Sequence, residues 1–421
     1  MRRHKGTVLL IVMLWFAAAA VVSAEPVTIE LWGWTPGSVT GDKLAELIED
    51  FNASQDEVRV VLAGETGIDK LIVAYAGGAA PDVTFNVADM AALLGGPNGI
   101  LLPLDEFIDG PNGVPRQAFI PDMWSFSTVD GKVYQMAVEG NERGLFVNTA
   151  RASQVGLDVN QHRPIRDWND LLDWAKKLTL RTGDEVTQWG FNANHNLGGD
   201  KWHWVWLNDG KLVALDYSES LVTHPNTIEA LQFAADMIHV HGVAPPDHSG
   251  GVQNPFIQNR YAMVMERSTF IANLERQGMT DFITLPGPVG VGKEGGRFSG
   301  ASASAIAIVN STKHPEAAWK FVRYITYERG LEFAETRGGI PFLFEGLQNE
   351  KFRTQPWEAF ADQIVNLRPE RLPAGLPNDV FSNPFTQAWN RVIRGEVPAS
   401  IAMQELHEVV SARLAEFRQS Q

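Results

Sequence analysis

The chain has 421 residues, with 35 Lys and Arg against 50 Asp and Glu, a formal net charge of −15. An acidic surface of this balance repels phosphate backbones, so the reading excludes nucleic acid as a partner. The absence of cysteine removes disulfides, thiolate nucleophiles, cysteine-based zinc and iron–sulfur sites, and a lipid anchor carried on cysteine.

Arg2, Arg3 and Lys5 open the chain, Val8 to Val22 is an uncharged apolar run, and Val22-Ser23-Ala24 supplies small residues before Glu25. This is the pattern of a secretory signal peptide, residues 1–24, cleaved after Ala24. The run is shorter than the roughly 20 residues needed to span a bilayer. Cleavage removes those three positive charges and no negative one, taking the formal charge from −15 to −18. A secreted chain without a lipid anchor would drift from a cell with one membrane, which points to the periplasm.

The remaining length exceeds the size at which single cores stop growing, so two lobes are expected. Val27, Ile29 and Leu31 alternate as a strand; Leu44, Leu47, Ile48 and Phe51 fall on one helical face; Val58, Val60 and Leu62 return to period two. Leu71, Ile72 and Tyr75 predict a second helix ending at Gly77-Gly78, and Val83 and Phe85 begin a third strand. This βαβαβ order favours a parallel sheet that presents its ligand beyond the carboxyl ends of the strands. Further on, Asp167 can cap a helix bearing Leu171, Trp174, Ala175 and Leu178, with Asp170 at its third position. Thr223 with Pro225 opens another helix, and a third runs from His314-Pro315 to Gly330. Ala262 to Met265 and Ala305 to Val309 are expected as buried strands.

Several segments stand in a recognisable order: Val27 to Trp34, Gly77 to Val83, Leu101 to Asp105, Asp130 to Tyr134, Asp167-Trp168 with its helix, Phe256 to Met265, and His314 to Phe321. On these the chain resembles extracellular solute-binding protein family 1, the sugar-binding group that includes maltose-binding protein. The resemblance implies an α/β, two-lobe periplasmic binding protein fold, each lobe a mostly parallel sheet flanked by helices, with the ligand cleft between lobes. It implies an N-terminal lobe of 25–138 plus 303–339 and a C-terminal lobe of 145–297 plus 344–421, with crossings near 138–146, 297–304 and 338–344. It also implies a monomer that closes by hinge motion on a carbohydrate and docks transiently with inner-membrane ABC permease subunits, without a cofactor or catalytic residues.

Sugar recognition needs aromatic rings for the C–H faces of pyranoses and planar polar groups for their hydroxyls. Trp32 and Trp34 sit where the first strand runs into a loop, and Asn86 follows the third strand at the equivalent edge. Glu139, Asn141 and Arg143 belong to a polar run at the first crossing. Trp202 and Trp204 lead the second-lobe candidates; on a helix Trp202 and Trp206 share a face, and on a strand all three tryptophans align. Phe270, Gly300 and Ser302 are further loop candidates, and Arg337, beside Gly338-Gly339, could reach a hydroxyl or an acidic sugar. Asp82 reads as a turn residue bonding its own backbone.

Gly290 to Gly295 contains a GxGxxG, and Gly287 to Lys293 a GxxxxGK, but Glu294 stands where a phosphate loop needs Ser or Thr and no helical period follows. The histidines show no metalloenzyme spacing. Two other readings stay open: a binding protein for a polyol or glycerol-phosphate compound, in which Arg143 or Arg337 would meet a phosphate, and, less favoured, a secreted glycoside hydrolase, for which Glu139 and Glu142 could be mistaken as the carboxylate pair.

Overall fold

The computed structural model describes residues 25–65, 67–87, 90–159, 165–192, 200–246, 251–298, 303–366, 368–370, 372–373 and 376–420. The signal peptide reading, residues 1–24, lies outside them. No helix among the described residues is long and apolar enough to cross a membrane.

The opening follows the expected order. Strand β1 (Val27–Gly33), helix α1 (Val39–Ser54), β2 (Val58–Glu65), α2 (Ile68–Ala76) and β3 (Val83–Val87) form βαβαβ, with β1 parallel to both β2 and β3. Helix α1 starts where Ser38 accepts a hydrogen bond from the Gly41 amide at 3.1 Å and buries Leu44, Leu47, Ile48 and Phe51. On α2 only Leu71 is buried; Ile72, expected beside it, points to solvent because neighbouring helical positions diverge by about 100°.

The chain then enters β4 (Met136–Gly140), crosses at Asn141-Glu142 and continues as β5 (Arg143–Asn148). Helices α3 (Trp168–Leu178), α4 (Asp200–Leu207) and α5 (Pro225–His239) precede β6 (Met263–Arg267), α6 (Phe270–Arg276) and β7 (Phe282–Pro286). The chain returns in β8 (Ser304–Ile308), α7 (Pro315–Arg323), one π turn over Tyr324–Glu328, α8 (Gly330–Arg337) and β9 (Ile340–Pro341). The six-stranded sheet has the order β9-β4-β8-β3-β1-β2 and the three-stranded sheet β6-β5-β7; three two-stranded ribbons complete the described strands.

Against the expectation of a mostly parallel sheet in each lobe, the first sheet is mixed beyond its parallel start and the second is antiparallel throughout. In the first sheet β8 runs antiparallel to β3 and β4, and β9 antiparallel to β4; in the second, β5 runs antiparallel to both of its neighbours. The crossing explains the direction. Strands β3 and β4 point toward the end of the sheet where the chain leaves, whereas β8 enters from that end and so must run the opposite way.

Strand alternation also decides where the cores lie. Phe146 points from β5 into the cluster that contains the first sheet, with Phe270 at 5.1 Å, Phe360 at 5.8 Å and Phe282 at 6.0 Å, while Leu145 and Val147 point into a second cluster around Trp168, Trp206 and Trp389. The cap read at Asp167 is present: its carboxylate accepts from the amides of Asn169 (2.9 Å) and Asp170 (3.0 Å). Asp167→Ala is expected to cost about 1 kcal/mol of unfolding free energy, read as a lower denaturant midpoint at an unchanged slope. Pro225 occupies the first turn of α5, but the cap is His224, one residue beyond Thr223.

Candidate functional site

Strands β4 and β8, helix α8 and the residue that follows β1 bring side chains together at one end of the first sheet. Glu139, near the end of β4, is wholly buried and lies opposite Ser304, the first residue of β8. The Ser304 hydroxyl donates to Glu139 Oε1 at 2.6 Å. Arg337, the last residue of α8, donates from its guanidinium to the same carboxylate oxygen and to the Ser304 hydroxyl, forming an ion pair with Glu139. Its guanidinium carbon sits 5.5 Å from the centroid of the Trp34 ring, whose edge meets Phe85 at 5.0 Å. Glu139 Oε2 has no hydrogen-bond partner among the described residues. A Cβ at residue 339 would stand 2.0 Å from that oxygen, so the space is open to it only because the residue is Gly339.

The crossing adds charge in the interior. Asn141, Glu142 and Arg143 are buried, Arg143 stands opposite Arg267 across β5 and β6, and the Glu142 carbonyl accepts from the Ser268 amide at 2.8 Å. Burial, with Arg267 adding to it, pulls the Arg143 pKa down to about 9 against the opposing pull of Glu266 and Glu142. His203 on α4 is 3% exposed, and neither ring nitrogen has a hydrogen-bond partner among the described residues. Burial first, and the nearby Arg143 second, push its pKa to about 3, so the ring is neutral at physiological pH. The Ser268 hydroxyl is also buried without a hydrogen bond. Buried Lys201 has its pKa lowered by burial.

The sides meet across a groove of about 650 Å³, lined by Val39 and Thr40 at the start of α1, Thr269 and Ala272 at α6, and Thr336 and Arg337 at the end of α8. That volume suits a small molecule. Gly338, with φ of +79°, ends α8 in the left-handed region; a Cβ there would lie 3.4 Å from the Thr269 Cα, so this turn brings the two sides into contact. A depression of about 590 Å³ on the outer face of α5, lined by Pro225, Ile228, Gln232 and Phe233, lies away from this polar cluster.

The structure brings Trp34, Glu139 and Arg337 together, with Asn86 buried on β3 in the same sheet and Asn141 and Arg143 at the crossing. Trp32 is half-buried near the end of β1, its indole resting on Gly64 of β2, and Trp202 is half-buried against Trp206 (6.3 Å) and Phe381 (6.1 Å). Two placements correct the sequence reading. Trp204 faces the second core, with Trp168 at 5.7 Å, Phe191 at 5.9 Å and Phe233 at 6.0 Å. Phe270 is wholly buried against Phe146 and Phe256. Each ring lies on the apolar side of its helix, so neither has a face for a ligand. Gly300 and Ser302 lie outside the described residues. Sequence reasoning passed over Ser304, Gly339, His203 and Thr269. Ser304 stands just before the strand expected from Ala305, but Thr269 and Gly339 matter only through contacts that the fold creates.

A carboxylate, a hydroxyl, a guanidinium and an indole within one cluster can bind a molecule that has both an apolar face and many hydroxyls. No group of three or more potential metal ligands occurs among the described residues.

The family described as bacterial extracellular solute-binding protein matches residues 37–330. An uncharacterized lipoprotein of Streptomyces antibioticus is 27% identical over 353 residues, 78% of this chain and 74% of that one. Among solved structures, the cyclic alpha-maltosyl-1,6-maltose binding protein of Arthrobacter globiformis superposes with a TM-score of 0.77 at 21% identity, covering 92% of this chain and 99% of the other. The sugar-binding protein MalE of Xanthomonas citri gives 0.78 at 20% identity, covering 93% and 98%. At these identities the structural likeness establishes the two-lobe fold.

Proposed function

We infer that this chain, which belongs to the bacterial extracellular solute-binding protein family, is the carbohydrate-binding component of an ABC-type importer. The observation that carries the reading is the juxtaposition of Trp34, Glu139 and Ser304, bridged by Arg337, at the carboxyl end of the first sheet, beside the crossing and the groove. Carbohydrate is the ligand class that needs a ring platform and convergent planar polar groups together. Asn86, Asn141 and Arg143 extend the polar lining, and Trp32 and Trp202 are additional ring surfaces. The solved relatives, a cyclic alpha-maltosyl-1,6-maltose binding protein and a sugar-binding protein, support the same class.

In this proposal one lobe is built on each sheet, near the boundaries expected from the sequence. Contacts from both lobes favour the closed form, and only that differential affinity shifts the population toward it. The closed monomer then docks with the permease in the periplasm, after cleavage behind Ala24, and performs no chemistry on the sugar. Glu139 supports a binding role because its carboxylate is engaged by Arg337 and Ser304.

The buried cations Arg143 and Lys201 favour a second reading, a ligand bearing phosphate. A thermal-shift panel of neutral oligosaccharides, polyols and phosphate esters tests both. A neutral saccharide at 100 times its dissociation constant is expected to stabilise the protein by about 2.7 kcal/mol. Stabilisation by phosphate esters alone would replace the first reading with the second, and hydrolysis of an added saccharide would overturn the binding role. Trp34→Ala is expected to weaken saccharide affinity about tenfold, through the loss of ring contact, with Trp32→Ala adding to it and the fold retained. Unchanged calorimetric titrations would assign both indoles to packing.

A further inference from the structure

Resting on the carbohydrate reading, we propose that Arg337 is a resident occupant of the sugar subsite, lying on Trp34 in the unliganded protein and displaced when carbohydrate binds. A guanidinium is a planar group with weakly hydrated faces and N–H donors around its rim. Here the guanidinium carbon lies over the indole, 5.5 Å from its centroid, while an N–H group donates to Glu139 Oε1 and the Ser304 hydroxyl. A pyranose would make the same two kinds of contact, an apolar face on the ring and hydroxyl hydrogens on the carboxylate. Both cannot hold that ring face and that carboxylate oxygen together.

The surroundings allow the exchange. The Arg337 side chain is 22% exposed and borders the groove, so it has a path outward; Glu275, Arg276 and Glu335 line the same groove, and its two carboxylates can receive the displaced charge. Arg337 ends its helix, and the glycines that follow leave its side chain unobstructed by a neighbouring Cβ. Glu139 Oε2, without a hydrogen bond in the occupied state, gains a partner when hydroxyls replace the guanidinium. The resident side chain thus raises the apparent dissociation constant by the fraction of molecules it blocks, and a ligand must replace every contact it removes.

The test is calorimetric titration of wild type and Arg337→Ala with the saccharide that most stabilises wild type. Arg337→Ala is expected to bind at least tenfold more tightly, because no competitor remains and the carboxylate is left for the ligand. Arg337→Gln, which has no charge and no guanidinium plane, is expected to shift in the same direction and serves where the alanine variant does not fold. Wild-type binding with weaker or unchanged affinity in the variants would overturn the displacement and make Arg337 a ligand contact or a bystander, leaving the carbohydrate reading intact. Absence of saccharide binding in wild type and variants alike would overturn both.

Discussion

Glu139→Ala is expected to lose saccharide binding by about 10- to 150-fold and to unfold about 2–3 kcal/mol more easily than wild type. The binding loss follows from deleting a charged acceptor, since hydrogen bonds to charged groups contribute about 1.5–3 kcal/mol each. The stability loss follows from breaking a buried ion pair, which typically costs about 3–5 kcal/mol. It falls short of that range here because Arg337 keeps partial access to water and can swing toward the groove. Two measurements separate the effects. Denaturant unfolding reports the fold, and calorimetric titration at a temperature where the variant is folded reports the site. Glu139→Gln keeps the shape and one acceptor and should recover part of the stability but little of the affinity. A Glu139→Ala variant that binds saccharide like wild type would place the ligand elsewhere in the groove.

The second large effect is acid sensitivity centred on His203. Its folded pKa, about 3, lies below the ordinary histidine value of 6.5, so the unfolded chain takes up a proton that the folded protein refuses. Stability from this group is therefore complete above about pH 6.5 and is lost as pH falls toward 3, at up to about 1.4 kcal/mol per pH unit. Glu332 adds a loss in the same direction but starts lower. Arg329, with Lys43 helping, holds its carboxylate near 2 against an ordinary 4.5, although its partial exposure screens the effect. The interval between pH 6.5 and 4.5 thus reports His203. His203→Phe removes an imidazole whose nitrogens have no hydrogen bonds and is expected to be close to neutral at pH 7 while flattening that interval by a few kcal/mol. A pH profile parallel to wild type would show that the ring is protonated or hydrated in the folded protein.

Much of this arrangement was legible in the residues, for physical reasons. The spacing of Leu44, Leu47, Ile48 and Phe51 and the capping geometry of Asp167 are local facts, and the structure keeps them. The position of Trp34 followed from where a parallel strand ends, a consequence of topology more than of the indole itself. Trp204 and Phe270 were misplaced because composition cannot tell which side of a helix meets a core formed by distant segments. The antiparallel entry of β8 was equally hidden, since it depends on the chain returning from the second sheet at the crossing end. Gly339 and Ser304 show the same limit at the site: each matters because it faces Glu139, more than 160 residues away in the chain.

Small-angle X-ray scattering on the protein with and without its best stabilising saccharide tests whether the two lobes close on the ligand. Closure of two lobes around the ligand predicts a smaller radius of gyration in the saturated sample, absent from Glu139→Ala at the same saccharide concentration. Superimposable curves with a saccharide that demonstrably binds would mean that the ligand enters without bringing the two sheets together.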